Sequence, residues 1–263
     1  MWRLVFFISI VGLPSGAFSQ ISLQFNLPTY VGNLGGYSKH LRYYSDALEK
    51  YYNQSKGPAF GTVTPGWGLG AAMFKEDYYF GVYYQSHNYQ TDTFATPHVF
   101  NANTHQYRLE MRHVGVEIGK KVAKTKEIDW YLLGGLEAGA IRHRFKDELA
   151  TEWLSQRRTG LTAINNHSSI QLNLGMMADY RFHSKWHLLM RAGWQTGQKL
   201  SNERGSSGFW LMAPLPSQPG VPPVTEDLYR QQYGVTLEEM KEEFRTPMRR
   251  MFIDFRLGYI IGK

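Results

Sequence analysis

The chain contains 263 residues, carries a formal net charge of +7 at pH 7 and has no cysteine. Without cysteine it cannot form disulfides, use a thiolate nucleophile or carry a lipid-modified cysteine anchor. Beyond the first residues, no segment approaches the ~18 apolar residues that a transmembrane helix needs, so helical membrane spans are excluded.

The N-terminus has the pattern of a secretory signal. Arg3 supplies a positive charge, residues 4–13 form a short apolar run, and Ala17 and Ser19 provide small side chains for cleavage after Ser19. We predict that residues 1–19 are removed and that residues 20–263 form one exported domain. An exported chain does not meet nucleic acid, so the excess positive charge favours the phosphate-rich lipopolysaccharide surface as its anionic partner.

Eight later stretches alternate apolar and polar residues with the period of two that is typical of β-strands. The first three have apolar faces at 21–27, 67–73 and 78–84, and the last four at 128–136, 170–182, 186–194 and 251–261. In the fourth stretch the apolar residues change parity, from Tyr107, Leu109 and Met111 to Val114, Val116 and Ile118. We predict a β-bulge near residues 112–114 that restores the register.

The connections between these strands alternate in length. Short links follow strands two, four and six, at 75–77, 123–127 and 183–185. Long links follow the odd-numbered strands, at about 32–65, 88–104, 144–166 and 198–247, and two of them carry helical patterns, at 38–53 and 236–240. This alternation predicts an all-β, closed, eight-stranded antiparallel barrel with short periplasmic turns and long, partly helical outer loops.

The polar faces of the strands carry basic and acidic residues in equal number. A soluble barrel keeps its apolar residues inside, whereas one face of each strand here is almost uniformly apolar and suits lipid. The charged face must then line the lumen, where isolated ions would cost several kcal/mol each, so we predict a plugged lumen closed by ion pairs. The predicted lumen network comprises Arg108, Glu110, Arg112, Glu117, Glu137, Asp179, Arg181, Arg191, Asp254 and Arg256.

Aromatic residues mark both ends of the apolar faces. Trp130 and Trp186 fall near the short turns, and Trp67 and Trp194 near the long loops, as in the two aromatic girdles of an outer-membrane barrel wall. With its strands, turns and girdles, the chain resembles the small eight-stranded outer-membrane barrels of the OmpA and OmpX type over nearly all of 20–263. The resemblance implies a barrel that spans the outer membrane.

The C-terminus departs from that family pattern. Many such barrels end in an aromatic residue that serves as an assembly signal, whereas this chain ends in Gly262 and Lys263, with Tyr259 as the nearest aromatic residue.

Two groups of side chains near the outer rim could carry chemistry. His167 and Ser169 share one strand face and resemble the catalytic pair of barrel enzymes that deacylate lipid A, so a lipid A acyl hydrolase is the alternative function. His87, His143 and His167, with His98 in a nearby loop, could bind a transition metal if they converge. Rim residues without chemistry are the simpler interpretation, and we predict no catalytic site, metal or cofactor.

Basic residues crowd two of the long loops and predict charge-assisted hydrogen bonds to lipopolysaccharide phosphates. The predicted contacts are Arg144, Lys146, Arg157, Arg158, Arg245, Arg249 and Arg250. We therefore predict a non-enzymatic integral outer-membrane protein. Its barrel is the anchor, and its outer loops bind outer-membrane lipid and lipopolysaccharide or another envelope protein.

Overall fold

The computed structural model describes residues 20–39, 60–92, 94–97, 102–147, 167–200 and 247–261, and the single positions 42, 45, 46 and 239. Within these ranges, the side chains of 94–97, 102–107, 143–147, 167 and 198–200 are not described. Among the described residues, no helix has the length and apolar character needed to cross a membrane. The predicted signal at 1–19 lies outside these ranges.

The described residues contain nine β-strands. They are β1 (Gln20–Asn33), β2 (Val63–Lys75), β3 (Tyr78–Gln90), β4 (Phe94–Pro97), β5 (Ala102–Lys124), β6 (Ile128–Asp147), β7 (His167–Arg181), β8 (Trp186–Leu200) and β9 (Met248–Ile261). Every strand except β4 belongs to one closed, antiparallel cycle of eight, in the order β1-β2-β3-β5-β6-β7-β8-β9 and back to β1. Closure pairs the backbone of each strand on both sides, as a sheet surrounded by lipid requires. The predicted closed, eight-stranded antiparallel barrel is confirmed.

The two faces of the barrel wall have opposite polarity. On β1, Leu23, Phe25 and Leu27 are 44–49% exposed on the outside, while Gln24 and Asn26 between them are buried inside. The same alternation runs along β7, β8 and β9. Since a soluble barrel buries apolar rather than polar side chains, this is the inverted polarity of an outer-membrane barrel.

Strand β5 corrects one sequence prediction. Its pairing with β3 and β6 is continuous through residues 112–114, and the register shift lies instead between Lys121 and Ala123. Parity is therefore constant along this part of the strand, so Leu109 and Met111 point into the barrel, where both are completely buried. The predicted bulge is misplaced because these two apolar residues are not lipid-facing.

The connections place the start of β1 and the end of β9 at one end of the barrel. The links 76–77, 125–127 and 182–185 are short, and Ile21 pairs with Ile261 at the same end. The other connections are long, except that β4 forms a hairpin with the first residues of β5, within the predicted 88–104 loop. Residues 36–39 are helical, but most of the predicted 38–53 helix and of the 236–240 helix lies outside the described residues.

Candidate functional site

The middle of the lumen is crossed by a ring of four charged side chains, here called the lumen quartet: Glu117, Arg191, Asp254 and Arg256. Arg191 lies 2.5 Å from Glu117 and 2.8 Å from Asp254, and Arg256 lies 2.5 Å from Glu117 and 2.7 Å from Asp254. Each charge therefore has two partners of opposite sign. Because β5 and β9 stand on opposite sides of the eight-stranded cycle, the quartet ties the barrel together across its interior.

Tyrosines surround the quartet and complete its hydrogen bonding. The Tyr79 hydroxyl donates to Glu117 Oε1 at 2.5 Å and accepts from Arg256 at 3.0 Å. The ring of Tyr83 lies 5.4 Å from the guanidinium of Arg191 and 4.8 Å from that of Arg256. That ring occupies space that exists only because residue 115 is glycine, since a Cβ there would lie 2.4 Å from Tyr83 Cζ.

Glu137, another predicted member of the network, takes neutral partners. It accepts hydrogen bonds from the Tyr83 hydroxyl at 2.8 Å and from the Asn173 amide at 2.7 Å. No arginine contacts Glu137 among the described ion pairs. Glu137 is thus linked to the lumen quartet through Tyr83 rather than through a direct charge pair.

Arg250 is a lumen residue that the sequence interpretation placed outside. It was predicted to contact lipopolysaccharide, but it is 2% exposed and points into the barrel, so it cannot reach lipid. Its guanidinium donates to Gln195, to Tyr89 at 2.8 Å and to Gln171 at 2.7 Å, and lies 2.8 Å from His87 Nε2. The sequence contained a signal for this placement. Arg250 is an even number of residues from Asp254 and Arg256 on β9, so all three side chains lie on the same, inward face.

Three residues predicted to belong to the lumen network point outward from the barrel wall instead. Arg108, Glu110 and Arg112 lie on the outward parity of β5, because β5 has no bulge at 112–114. They form a ladder outside the barrel, in which Glu110 lies 3.8 Å from Arg108 and 3.7 Å from Arg112. The assignment of these residues to the lumen is wrong.

The inward charges of the described residues nevertheless remain balanced. Arg108, Glu110 and Arg112 leave the predicted set, and Lys121, Asp129 and Arg250 join it. The basic members are Lys121, Arg181, Arg191, Arg250 and Arg256, and the acidic members are Glu117, Asp129, Glu137, Asp179 and Asp254.

The short-turn end of the lumen contains a hydrogen-bonded chain that the sequence interpretation missed. Ser22 Oγ lies 2.7 Å from His187 Nε2, and His187 Nδ1 lies 2.7 Å from Asp179 Oδ1. Arg181 then contacts the same carboxylate at 3.3 Å. Ser22, His187 and Asp179 are buried, and Gly258 permits the close packing, because a Cβ there would lie 2.1 Å from His187 Nε2. Two of these residues are 165 positions apart, so only barrel closure brings them together.

The predicted rim pair of His167 and Ser169 is not the pair that the structure describes. Ser169 is 1% exposed and lies 2.8 Å from His113 Nε2, while the side chain of His167 is not described. Among the described residues, His113 Nδ1 has no hydrogen-bond partner, so no described carboxylate orients this imidazole as a hydrolytic triad requires. The contact between Ser169 and His113 therefore does not favour acyl hydrolysis.

The predicted histidine site is only partly described. His87 is buried in the lumen beside Arg250, the side chains of His143 and His167 are not described, and His98 lies outside the described residues. In the described ranges, no group of three potential ligands could hold a metal ion.

Apolar clusters cover the polar lumen at both ends. The outer cluster consists of Tyr30, Leu34, Tyr37, Tyr89, Leu109, Met111, Ile141, Met248 and Phe252. The inner cluster consists of Ala72, Phe74, Tyr79, Tyr131, Leu133, Met177 and Leu189. Burial raises the pKa of Tyr37 well above its ordinary value, so this residue of the outer cover stays neutral.

The remaining predicted lipopolysaccharide contacts are placed only in part. Arg249 is exposed on the outside of β9, next to the buried Arg250. Arg144 and Lys146 belong to β6, but their side chains are not described. Arg157, Arg158 and Arg245 lie outside the described residues.

Comparison with known proteins gives matches among solved structures only. No protein-family model and no curated protein matches the sequence. Ail of Yersinia pestis, in complex with the heparin analogue sucrose octasulfate, matches with 9% identity and a TM-score of 0.35, over 92% of this chain and 97% of that chain. Neisserial surface protein A matches with 10% identity and a TM-score of 0.37, over 90% and 94%.

The outer membrane protease OmpT from Escherichia coli also matches, with 8% identity and a TM-score of 0.30, over 92% of this chain and 95% of that chain. The chain has the architecture of the small eight-stranded outer-membrane barrels. That assignment rests on its own strand pairing and inverted polarity.

Proposed function

We propose that this protein is a non-enzymatic, non-conducting anchor in the outer membrane, and that its long outer loops bind a partner in the cell envelope. The lumen quartet is the observation that carries the proposal. Its four ion pairs, at 2.5–2.8 Å, join β5 to β8 and β9 through the middle of the barrel. The interior of an eight-stranded barrel is just wide enough to be filled by side chains.

Opening this lumen would require several charges to lose their partners together. Arg191, Asp254 and Arg256 are each 3% exposed or less, and the apolar clusters lie above and below them. Breaking one buried ion pair costs about 3–5 kcal/mol, so spontaneous opening to ions is rare. A filled lumen of this kind serves as an anchor rather than a route for solutes.

Because the lumen is filled, we propose that the long outer loops are the binding region of the protein. All the long connections open at the same end, and the connections 34–62, 148–166 and 201–247 are each far longer than a strand turn needs. Long outer loops on a rigid barrel scaffold are a common site of binding. The proposed partner is the lipopolysaccharide layer or another envelope protein, and the predicted contacts in 144–158 and at Arg245 belong to this proposal.

Conductance of the refolded barrel in a planar lipid bilayer tests the closed lumen. The wild-type protein should show no steady ion current. The double variant Arg191→Ala/Asp254→Ala keeps the net charge but removes two members of the quartet, and should admit ions. Faster gel migration without heating shows that each sample is folded. A steady current through the folded wild type would refute the anchor proposal.

Photo-crosslinking in intact cells tests the loops. A crosslinkable residue in place of Tyr229, within the 201–247 connection, should capture lipopolysaccharide or one recurrent envelope protein. The control is the same residue in place of Leu172, which is 56% exposed on the lipid-facing wall. Identical products from both positions would mean that the loop has no partner of its own.

A further inference from the structure

The outward face of β5 changes character near the outer end of the barrel. Toward the periplasm it presents Ile118, Val116 and Val114, which are 49%, 51% and 60% exposed. The next outward residue is Arg112, whose side chain is 46% exposed. Because two residues of a strand rise about 7 Å, Arg112 lies about 7 Å beyond Val114 and marks the end of the apolar outward series on this strand.

Further charges follow Arg112 on the same outward face. Glu110 lies between Arg112 and Arg108, and the strand register places Arg142 of β6 directly opposite Glu110. Directly opposite residues have Cβ atoms about 4.5–5.5 Å apart. These four residues, Arg108, Glu110, Arg112 and Arg142, are called the outer arginine cluster. Two residues further along each strand, the backbone of Arg144 pairs with that of Arg108.

The outer arginine cluster contains three guanidinium groups and one carboxylate. The two described ion pairs of Glu110, at 3.7 and 3.8 Å, are longer than the contacts within the lumen quartet. Three arginines and one glutamate give the cluster a formal net charge of +2, which an added anion would reduce. The planar guanidinium group matches phosphate geometry with two parallel hydrogen bonds.

We propose that the outer arginine cluster binds the phosphate groups of lipopolysaccharide in the surrounding outer leaflet. The inference rests on the outer-membrane placement in the proposed function, but on neither the closed lumen nor the loops. Without lipid, Glu110 pairs with Arg108 and Arg112 and keeps both side chains in place. When a phosphate binds, it replaces Glu110 as the partner of these arginines. The barrel wall itself, below the loops, thus selects the lipid around it.

The opposite wall offers a matched control. Strand β9 stands four strands away from β5 in the eight-stranded cycle. Its outward apolar series ends at Met251, and Arg249 follows at the equivalent position just beyond the apolar belt. The register neighbours of Arg249 are the uncharged Asn33 and Thr196. Arg249 is therefore a single exposed arginine outside any cluster. It has no share in the proposed binding, although it was predicted from the sequence as a lipopolysaccharide contact.

Binding of lipid A to the refolded full chain in detergent, counted by native mass spectrometry, tests the proposal. Arg112→Gln/Arg142→Gln should weaken binding about tenfold or more, since a hydrogen bond between charged groups contributes about 1.5–3 kcal/mol. Arg249→Gln should change binding little. Glu110→Gln should strengthen it, because the phosphate no longer competes with a carboxylate, and a purely structural role for Glu110 predicts no such gain.

Three results would overturn the proposal. They are an equal loss in Arg249→Gln, weaker binding in Glu110→Gln, and equal binding of lipid A from which the phosphates have been removed. If phosphatidylglycerol displaces lipid A at equal concentration, the cluster recognises any anionic lipid and the assignment to lipopolysaccharide fails. Conductance recorded on the same samples separates this failure from that of the closed anchor, because the cluster lies outside the lumen.

Discussion

Replacing Glu117 by glutamine should destabilise the barrel more than any other conservative change in the lumen. Glu117 accepts from Arg191 and Arg256 at 2.5 Å each and from the Tyr79 hydroxyl at 2.5 Å. The amide keeps the shape but removes the charge, so two buried arginines are left with Asp254 as their shared carboxylate. An uncompensated buried charge of this kind costs about 3–5 kcal/mol.

That cost is large enough to measure by urea titration of the refolded barrel, followed by tryptophan fluorescence. Unfolding free energies of small proteins fall by about 1–3 kcal/mol per molar urea, so the midpoint for Glu117→Gln should drop by about 2 M. The double variant Glu117→Gln/Arg191→Gln removes one charge of each sign. It should recover part of the loss, because the remaining Asp254 and Arg256 still neutralise each other.

The ordering of these variants decides whether the quartet acts through charge balance. A double variant less stable than Glu117→Gln would mean that hydrogen-bond number rather than charge controls stability. A Glu117→Gln midpoint equal to the wild-type midpoint would refute the reasoning entirely, because the lumen would then tolerate an unpaired arginine. Heat-dependent gel mobility provides the control for correct folding.

Three further predictions follow from the two faces of the wall and from its orientation. Leu172→Arg should cost about 2–4 kcal/mol in urea titrations in lipid, because it places a charge in the hydrocarbon, while Leu172→Ala costs less; a harmless arginine there would contradict the outward assignment. Arg250→Met should lower the urea midpoint because Gln171 and Tyr89 lose a buried donor, whereas the outward Arg249→Met should not; equal midpoints would place Arg250 outside the lumen. Protease added to intact cells should cut within the long connections rather than the short turns, and cleavage confined to the short turns would reverse the orientation.

Where the pattern was local, the sequence was sufficient to predict the fold. The alternation on β1, β7, β8 and β9 identified which residues face outward, because successive side chains of a strand always point to opposite sides. The short links were located to within a few residues for the same reason. Closure into eight strands followed from the alternating loop lengths, since an odd number would separate the two ends of the chain.

The assignment of residues to lumen or lipid was wrong on β5 beyond the apolar part of its outward face. Leu109 and Met111 were assigned to lipid because they are apolar, yet they belong to the outer apolar cluster inside the barrel. Arg108 and Arg112 were assigned to the lumen because they are charged, yet they face water or headgroups above the belt. The polarity of a side chain indicates whether it faces the lumen or the outside only where the outside is hydrocarbon. The alternation within one strand does not show how far along the barrel axis a residue lies.

By itself, the sequence determined the eight strands of the barrel and the polarity of the wall within the bilayer, because these depend on neighbours along one strand. Only the tertiary structure decided which charges pair. Glu117 meets Arg256 across 139 positions, and Ser22 meets His187 across 165, because strands distant in sequence converge on a lumen about as wide as two side chains. Parity determines that a residue points inward, but the stagger of the closed barrel determines the height at which it does so, and therefore which partner it meets.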